Sequence, residues 1–399
     1  MDLPRRGFVT MKRVVIERCC LFSEGENAFD DRNIRNAGKV IISEQRDRRN
    51  VYVNHRLLAE DAVEVLDCLS VLGYSLTVIS ELSVKETQAK LEQTMIDPYF
   101  SGSFSSRNTD AHLREIAAES DDFSVVVCRS EEIISAARKL KIPTIRVLNE
   151  TITEKGSATI TAERFGVVDD VVIQAVMFDE ISRKIRALDR CRLIGVDGIE
   201  LVGKTYFSSK LSSFLKLHGM ETTVVRLSEF KSPIEVTYKG EDEAEAFYFH
   251  AFNVNKLMDE LLLPFLENGT VDVVLTSFQG NNSRHGIESH YKIDPGGVMI
   301  LQGELMYREP LMDLFDFKIF LFMDEQEAMH RALVRDLFLG EETKEAEFKI
   351  KRVPAQKMYM QRHIPVERCE YAIDNTNYRR PIILREVGGC SFPESEYKI

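Results

Sequence analysis

The chain has 399 residues, of which 44% are hydrophobic and 29% are charged, and its formal net charge is −12. This composition excludes a wholly disordered chain, a collagen and a coiled coil. The length predicts two domains with separate cores. The acidic balance argues against a nucleic-acid partner.

The sequence predicts neither a membrane anchor nor a disulfide framework. No run approaches the roughly 18 consecutive apolar residues that a membrane helix needs. Glu17 and Arg18 interrupt the apolar run behind the basic N-terminus, so a signal peptide is not expected. The seven cysteines include no Cys-x-x-Cys pair. We therefore expect reduced thiols, no structural zinc, no membrane partner and a cytoplasmic protein, and we leave homo-oligomerisation open.

Strand-like and helix-like runs alternate from about residue 38 to residue 150. Strands are predicted at 39–43, 75–80, 123–128 and 144–148, and helices at 60–73, 109–120 and 131–140. The alternation predicts a mainly parallel sheet with helices on both faces. Residues 1–150 are therefore interpreted as one domain, and residues 151–190, which end in a charged helix, as a connecting segment.

A second alternation begins after Arg192 and predicts a second domain over residues 191–399. Strands are predicted at 193–198, 222–227, 271–278, 297–303, 317–324 and 371–375, with helices from Lys204, at about 250–267 and at about 325–339. The predicted fold class is α/β, with two domains that each contain a mainly parallel sheet flanked by helices.

The strongest motif is GIELVGKT at residues 198–205, which fits the phosphate-loop pattern G-x-x-x-x-G-K-[ST]. It stands between a predicted strand and a predicted helix, where backbone N–H groups and the helix N-terminus favour a phosphate. The lysine is expected to bridge the β- and γ-phosphates of ATP, and the threonine to hold Mg²⁺. The residues expected to bind the nucleotide are Gly198, Gly203, Lys204 and Thr205.

The interior of this loop departs from the usual composition. Its four inner residues, IELV, include no glycine, and bulky residues restrict the backbone angles that the loop can adopt. Glu200 also brings a negative charge near the phosphates. An inherited but inactive loop is therefore the alternative to nucleotide binding.

With the loop in place, residues 191–385 resemble the uridine kinase and phosphoribulokinase group of P-loop kinases. The shared order and spacing are carried by IGVDGIELVGKT, FYFHAFNVNKLMDELLLPFLENG (247–269), GVMILQGELMYREPLMDLFDFKIFLFMD (297–324), HRALVRD (330–336) and RVPAQKMYMQRHIPVERCEYAIDNT (352–376). The resemblance implies Mg²⁺-dependent transfer of the γ-phosphoryl group of ATP to a hydroxyl of a small molecule. A nucleoside such as uridine or cytidine is the expected acceptor.

The resemblance also implies catalytic residues in addition to Lys204. Arg331 and Arg335 lie four residues apart on one helix face and would form a lid over the triphosphate. The group's acidic base position falls on Ser228, which cannot serve as a base near neutral pH. Glu229, one residue later, is therefore the candidate base.

Two further positions carry the group's substrate and metal contacts in altered form. The group's Phe-Asp substrate pair reads Phe252-Asn253, so Asn253 and Ser228 are the candidate substrate contacts. The acidic residue that precedes a glycine at the metal side reads Gln302, which joins Thr205 as a candidate Mg²⁺ ligand. Glu304 is close in sequence but is a same-side neighbour of Gln302 only if the strand continues through the glycine.

Residues 38–150 resemble the haloacid dehalogenase-like (HAD) phosphatase fold. The resemblance is carried by LLAEDAVEVLDCLSVLGYSLTVIS and SVVVCRSEEIISAARKLKIPTIRVL. The family's nucleophilic Asp and a second Asp two residues later end its first strand. If that strand is 39–43, Ser43 and Gln45 stand near this position. The alternative first strand near 13–22 also lacks an Asp-x-Asp pair.

Of two other HAD motifs, one keeps its functional residue and the other does not. Ser80 retains the Ser/Thr of the second motif. Arg129, however, stands at the family's Mg²⁺-binding Asp, and a cation there opposes Mg²⁺ binding. The sequence therefore predicts an HAD-like domain without phosphatase activity, with a structural, regulatory or oligomeric role. The alternative is that Arg129 and Ser80 bind a phosphate ligand without hydrolysing it.

Three functions follow from these patterns. The first is an ATP- and Mg²⁺-dependent kinase of a small molecule. The second is a pseudokinase, in which nucleotide binding serves a regulatory or scaffold role, and the departures at Ser228, Asn253 and Gln302 favour it. The third is a phosphatase acting through the first half, which has the least support because its nucleophile is missing.

Overall fold

A computed structural model describes residues 12–22, 58–118, 123–237, 241–277, 287–339 and 348–386 of the chain. The chain divides into two compact units, Met1–Met177 and Phe178–Ile399. Each unit contains a mainly parallel sheet, so the predicted α/β class is confirmed. Within the described ranges, no helix is both long and apolar enough to cross a membrane.

The first unit is built on a six-stranded parallel sheet in the order β3-β2-β1-β4-β5-β6. Its strands are β1 (Lys12–Glu17), β2 (Tyr74–Ser80), β3 (Phe100–Ser105), β4 (Ser124–Cys128), β5 (Thr144–Val147) and β6 (Ile160–Ala162). Its helices are α1 (Arg18–Leu21), α2 (Ala62–Val71), α3 (Val84–Gln93), α4 (Thr109–Ala118), α5 (Glu131–Lys139) and α6 (Val168–Arg186), the last of which runs through the boundary between the units. The strand β6 lies within the segment that the sequence assigns to the connection.

Short-range side-chain chemistry explains where several of these helices begin and end. Ser83 and Glu86 form a capping box at the start of α3, which satisfies two backbone N–H groups that would otherwise lack partners. The helix α5 has two acidic residues in its first turn and two basic residues in its last turn, as the helix dipole favours. Its Ile133, Ile134 and Ala137 are buried against the sheet.

The central strand of the first sheet is β1, and this corrects the first-strand prediction. It lies between β2 and β4, and its Val14, Val15 and Ile16 are fully buried. The run at 39–43, with Ser43 and Gln45, lies outside the described residues. The end of β1 therefore presents Glu17, and two residues later Cys19, at the edge where strand order reverses.

The second unit contains a six-stranded sheet in the order β14-β13-β12-β7-β11-β8, parallel except for β14 at the edge. Its strands are β7 (Leu193–Gly198), β8 (Thr222–Arg226), β9 (Val271–Ser277), β10 (Ile287–Ile293), β11 (Val298–Gly303), β12 (Phe317–Phe322), β13 (Tyr371–Asp374) and β14 (Ile382–Glu386). Its helices after α6 are α7 (Lys204–Leu217), α8 (Ile234–Thr237), α9 (Glu243–His250), α10 (Val254–Leu257), α11 (Leu263–Asn268), α12 (Glu325–Leu339), α13 (Val353–His363) and α14 (Pro365–Arg368). A π-helical turn, Met258–Leu262, joins α10 to α11.

One predicted sheet strand has a different partner. The run at 271–278 forms β9, which pairs antiparallel with β10 as a separate two-stranded sheet. The pair packs on the main core through Tyr291 and Ile293. The alternation of apolar runs does not reveal which strand a given strand pairs with, because pairing depends on residues far apart in the chain.

Candidate phosphate-binding site

The phosphate loop lies at the carboxyl end of β7, at the centre of the second sheet. All six residues of β7 are buried, and α7 begins at Lys204 immediately after the loop. Gly203 has φ of +95°, a left-handed conformation that favours glycine. The loop thus occupies the strand–loop–helix position that its motif requires.

Two long-range hydrogen bonds connect the phosphate loop to α12 and to the residue after β13. Leu201 has φ of +66°, which costs a non-glycine residue about 1–2 kcal/mol. Its carbonyl accepts a hydrogen bond from Arg331 Nη1 at 3.3 Å. Asn375 Nδ2 donates to the carbonyl of Val202, which is fully buried, at 2.5 Å. The loop is therefore fixed by the surrounding structure although it lacks an inner glycine.

Arg331 lies beneath the loop in this structure. Its guanidinium donates to Glu327 Oε1 at 2.7 Å and to the carbonyls of Leu201, Asn375 and Thr376. These contacts tie α12 to the loop and to the end of β13. The predicted lid role of Arg331 would require these bonds to exchange.

Lys204 is folded back into the loop. Its Nζ donates to the carbonyl of Gly198 at 2.9 Å and to that of Ile199 at 2.7 Å. Burial lowers the pKa of Lys204, whereas the carboxylates of Glu304 and Asp197 act in the opposite direction. The ammonium group therefore lies inside the loop, where phosphate oxygens could replace the two carbonyl oxygens as its hydrogen-bond acceptors.

Glu200 directs its carboxylate at two arginines. Arg335 Nη1 lies 3.0 Å from Glu200 Oε1, and Arg352 Nη1 contacts Oε2. Burial acts to raise the pKa of Glu200, but Arg352 and then Arg335 outweigh it and lower the pKa below the usual value. The carboxylate is thus ionised, and the predicted lid residue Arg335 is already paired with an anion of the loop itself.

Thr205 and Gln302, the two predicted Mg²⁺ ligands, lie beside each other. Gln302 Nε2 donates to Thr205 Oγ1 at 3.2 Å. The other amide atom, Gln302 Oε1, is buried and has no hydrogen-bond partner in the described part of the chain. A buried carbonyl oxygen without a partner is unusual. It fits a Mg²⁺ ion, which takes oxygen ligands, or a metal-bound water, which would donate a hydrogen bond to it.

Glu304 is a site residue without a predicted role. It follows β11, is 8% exposed, and its Oε1 lies 3.6 Å from Arg352 Nη1. Burial raises the pKa of Glu304, against the opposing effect of Arg352. The sequence signal was the carboxylate on the far side of Gly303, but its burial depends on how the loop after β11 folds.

Asp197 shapes that loop. Its fully buried carboxylate accepts hydrogen bonds from the backbone N–H groups of Gly198, Met306 and Tyr307 and from the hydroxyl of Tyr359. Burial raises the pKa of Asp197 although these bonds oppose the rise. Because its bonds connect β7 to the segment after β11, Asp197 fixes the loop that carries Glu304.

A cavity of about 580 Å³ opens at the same sheet edge. It is bordered by Leu227 after β8 and by Leu305, the residue after Glu304. Its aromatic and polar lining comprises Ser232, Tyr248, Phe249, His250, Phe252, Asn253, Asn255, Arg308, Glu309 and His363. Ligands of parallel α/β sheets bind in crevices at the carboxyl ends of the strands.

Tyr248 contacts two other side chains that line the cavity. Tyr248 hydroxyl and His363 Nε2 are 2.6 Å apart, and the Arg308 guanidinium lies 4.3 Å from the centre of the Tyr248 ring. Asn253 also lines the cavity, but its Oδ1 accepts the backbone N–H of Lys256 at 3.0 Å and so caps α10. The predicted substrate contact therefore has a structural task as well.

The predicted base position lies on the turn after β8. Ser228 is exposed. Glu229 is half-buried, and its carboxylate accepts a hydrogen bond from the hydroxyl of Tyr291 on β10. Burial and then the bond to Glu229 raise the pKa of Tyr291. The candidate base Glu229 is thus bonded to the β9–β10 pair, and the candidate lid residue Arg335 is bonded to the phosphate loop.

The first unit does not fit the Mg²⁺ ion of an HAD phosphatase. Arg129 stands after β4, and its Nη1 donates to the carbonyl of Cys19 at 2.9 Å. Glu17 Oε2 accepts the backbone N–H groups of Arg129 at 2.6 Å and Ser130 at 3.0 Å. Ser80 Oγ accepts the N–H of Leu82 at 3.1 Å. A guanidinium group therefore occupies the neighbourhood in which an oxygen-liganded cation would be needed.

Comparison with known proteins gives similarities of fold only. No protein-family model and no curated protein sequence matches the chain. Among solved structures, a possible uridine kinase from Bacillus stearothermophilus is 17% identical with a TM-score of 0.41, over 50% of this chain and 98% of that one. D-glycerate 3-kinase from Cryptococcus neoformans is 12% identical with a TM-score of 0.34, over 56% of this chain and 99% of that one.

Hydrolases are also among the solved structures that resemble part of the chain. An HAD-superfamily hydrolase from Ehrlichia chaffeensis is 11% identical with a TM-score of 0.29, over 42% of this chain and 98% of that one. What the chain shares with these structures is the α/β architecture of mainly parallel sheets flanked by helices.

Proposed function

We propose that the second unit binds a nucleoside triphosphate at residues 198–205 and transfers its terminal phosphoryl group to a hydroxyl of a small molecule in the adjacent cavity. The observation that carries the proposal is the position of Lys204, whose ammonium lies within a phosphate loop at the carboxyl end of the central strand. The proposed acceptor is a nucleoside or a similar polyol, since the cavity combines aromatic rings with amide, imidazole and guanidinium groups.

Mg²⁺ bound with the triphosphate would neutralise the charge that develops during transfer. Thr205 Oγ1 and Gln302 Oε1 are the atoms of this chain that would hold it. Lys204 would move from the loop carbonyls onto the phosphates. The remaining task of the chain is positioning, which supplies much of the rate enhancement in phosphoryl transfer.

Glu304 is the proposed acceptor of the hydroxyl proton, in preference to Glu229. It adjoins Leu305, which lines the cavity, and its raised pKa suits a general base. Glu229, by contrast, is already joined to Tyr291. Replacing each carboxylate by its amide would separate the two roles.

Nucleotide binding without turnover is the second candidate, and the ion pairs of Glu200 favour it. A loop carboxylate already occupies two arginines that would otherwise meet the phosphates. In a protein that binds without turnover, the loop opens only when a nucleotide displaces Glu200. The protein then senses the nucleotide concentration and does not consume the nucleotide.

ADP formation from Mg-ATP with a panel of nucleosides and sugars distinguishes the two candidates. A kinase forms ADP only when its acceptor is present, and Lys204→Ala and Glu304→Gln lose that activity while Glu229→Gln retains it. A sensor forms no ADP with any acceptor although it binds Mg-ATP. Loss of activity in Glu229→Gln, but not in Glu304→Gln, would contradict the assignment of the base.

A further inference from the structure

A second cluster of chemically reactive groups lies in the first unit, at the carboxyl end of β1. Glu17 is the last residue of β1, and Cys19 and Cys20 lie on the short helix α1 that follows. Their carboxylate oxygen and two sulfur atoms all lie within 4.8 Å of one another. Because β1 lies between β2 and β4, where the strand order reverses, the cluster occupies the usual ligand-binding edge of an open α/β sheet.

The carboxylate of this cluster is fixed in place. Glu17 Oε2 accepts the backbone N–H groups of Arg129 at 2.6 Å and Ser130 at 3.0 Å. The Arg129 side chain is attached to the Cys19 carbonyl, so it also braces the chain that carries the two thiols. These contacts fix the Glu17 carboxylate and the backbone of Cys19, as outer-shell contacts do in a metal site.

The charge of the cluster suits a divalent ion. Once a bound metal has displaced the two thiol protons to solvent, one carboxylate and two thiolates would carry three negative charges, and the guanidinium of Arg129 would offset one of them. The guanidinium of Arg18, which lies between the ligands in sequence, is paired with Glu81 instead. A net charge of about −2 remains for a bound cation to neutralise.

The donor types select the class of ion. Mg²⁺ and Ca²⁺ need six or more oxygen ligands, and this cluster offers one carboxylate. Two thiolates prefer Zn²⁺ and related soft ions, which need only three or four ligands. We propose that Glu17, Cys19 and Cys20 bind one thiophilic divalent ion of the zinc and cadmium class, independently of the phosphate loop. The Cys-x-x-Cys pattern that is typical of zinc sites does not include the proposed site, because Cys19 and Cys20 are consecutive residues.

Cadmium titration of the reduced full-length chain tests the proposal. Cd²⁺ bound to thiolates produces a charge-transfer absorption band in the ultraviolet, whose rise gives the stoichiometry. One Cd²⁺ per chain is expected, with loss of the band in Cys19→Ser and weaker binding in Glu17→Gln. Cys19 is the better variant because it is half-buried, whereas Cys20 is fully buried and its replacement perturbs the core.

The matched control is Cys68→Ser, since Cys68 is also half-buried but lies on α2. It should retain the band at full intensity, and circular dichroism should show that all variants are folded. Absence of the band in the unaltered protein, its persistence in Cys19→Ser, or its equal loss in Cys68→Ser would each overturn the proposal. For the unaltered protein, X-ray absorption of the Zn²⁺ complex should give two sulfur ligands, and an all-oxygen or all-nitrogen shell would overturn it as well.

Discussion

Replacement of Glu200 by glutamine should tighten the binding of Mg-ATP. In the closed loop, the Glu200 carboxylate bonds to Arg335 at 3.0 Å and to Arg352. A hydrogen bond to a charged group contributes about 1.5–3 kcal/mol, and a neutral one about 0.5–1.5 kcal/mol. Glutamine keeps only one acceptor oxygen, so one contact becomes neutral and the other is lost, because an amide NH₂ cannot accept a bond from a guanidinium group. Since these side chains are partly exposed, the closed form should lose about 2 kcal/mol.

The loss of about 2 kcal/mol from the closed form should strengthen Mg-ATP binding and weaken the stability of the nucleotide-free protein. A triphosphate must displace Glu200 from the arginines, so the variant should bind Mg-ATP about 10- to 30-fold more tightly, at 1.4 kcal/mol per tenfold. In the absence of nucleotide, the free energy of unfolding should fall by about 2 kcal/mol. Isothermal titration calorimetry and urea denaturation measure the two quantities.

The control for this variant is Glu325→Gln. Glu325 lies on α12 and, like Glu200, pairs with a cation, Lys357 at 2.9 Å, but it is exposed. It removes the same net charge and should leave Mg-ATP affinity within about twofold, since an exposed pair contributes at most about 1 kcal/mol. Unchanged or weaker Mg-ATP binding by folded Glu200→Gln would refute the view that Glu200 competes with the phosphates.

Three further predictions concern the loop, the base and the cavity. Leu201→Gly relieves a left-handed backbone, so its free energy of unfolding should exceed that of the matched loop variant Ile199→Gly by about 1 kcal/mol in urea denaturation; equal values would contradict it. If Glu304 is the base, activity is present above its raised pKa and is lost as pH falls through that pKa, so the acid limb of kcat should lie above the ordinary range of carboxyl groups. A limb at the ordinary carboxyl pKa would exclude Glu304. Asn253→Ala should lower the free energy of unfolding by about 0.5–2 kcal/mol through the lost helix cap and raise KM for the acceptor. Its Kd for Mg-ATP, measured by calorimetry, should not change, and a changed value would place Asn253 in the nucleotide site instead.

The sequence predicted the features of the fold that depend on local pattern. The phosphate loop was found because its residues are contiguous, and the buried strand β7 and the helix α7 lie where the motif requires them. The α/β class followed from the alternation of apolar runs, since that alternation results from helices that cover both faces of a sheet.

Features that depend on long-range contacts were not predicted. Glu200 was recognised as an unusual loop residue, but its partner Arg352 is far along the chain, and no local signal connects them. The sequence favours 39–43 as the first HAD-like strand and leaves the run near 13–22 as the alternative, and the structure places β1 in that second run. Two apolar runs of similar composition cannot be ranked without knowing which one pairs with β2 and β4.

The candidate site shows the same division. Thr205 and Gln302 were predicted to be close, and Gln302 Nε2 lies 3.2 Å from Thr205 Oγ1. The burial of Glu304 was not foreseen, because it depends on the turn that Asp197 fixes through two backbone N–H groups and Tyr359. Side chains held by tertiary hydrogen bonds of this kind leave no pattern in the sequence around them.

Calorimetric titration of Mg-ATP into the full-length protein tests the central claim most directly. The unaltered protein and Lys216→Ala, which removes an exposed lysine at the other end of α7, should bind one Mg-ATP with the same affinity. Lys204→Ala should not bind measurably, because the loop loses the ammonium that meets the phosphates. Equal binding by Lys204→Ala and the unaltered protein, or no binding by any of the three, would contradict a nucleotide site at this loop.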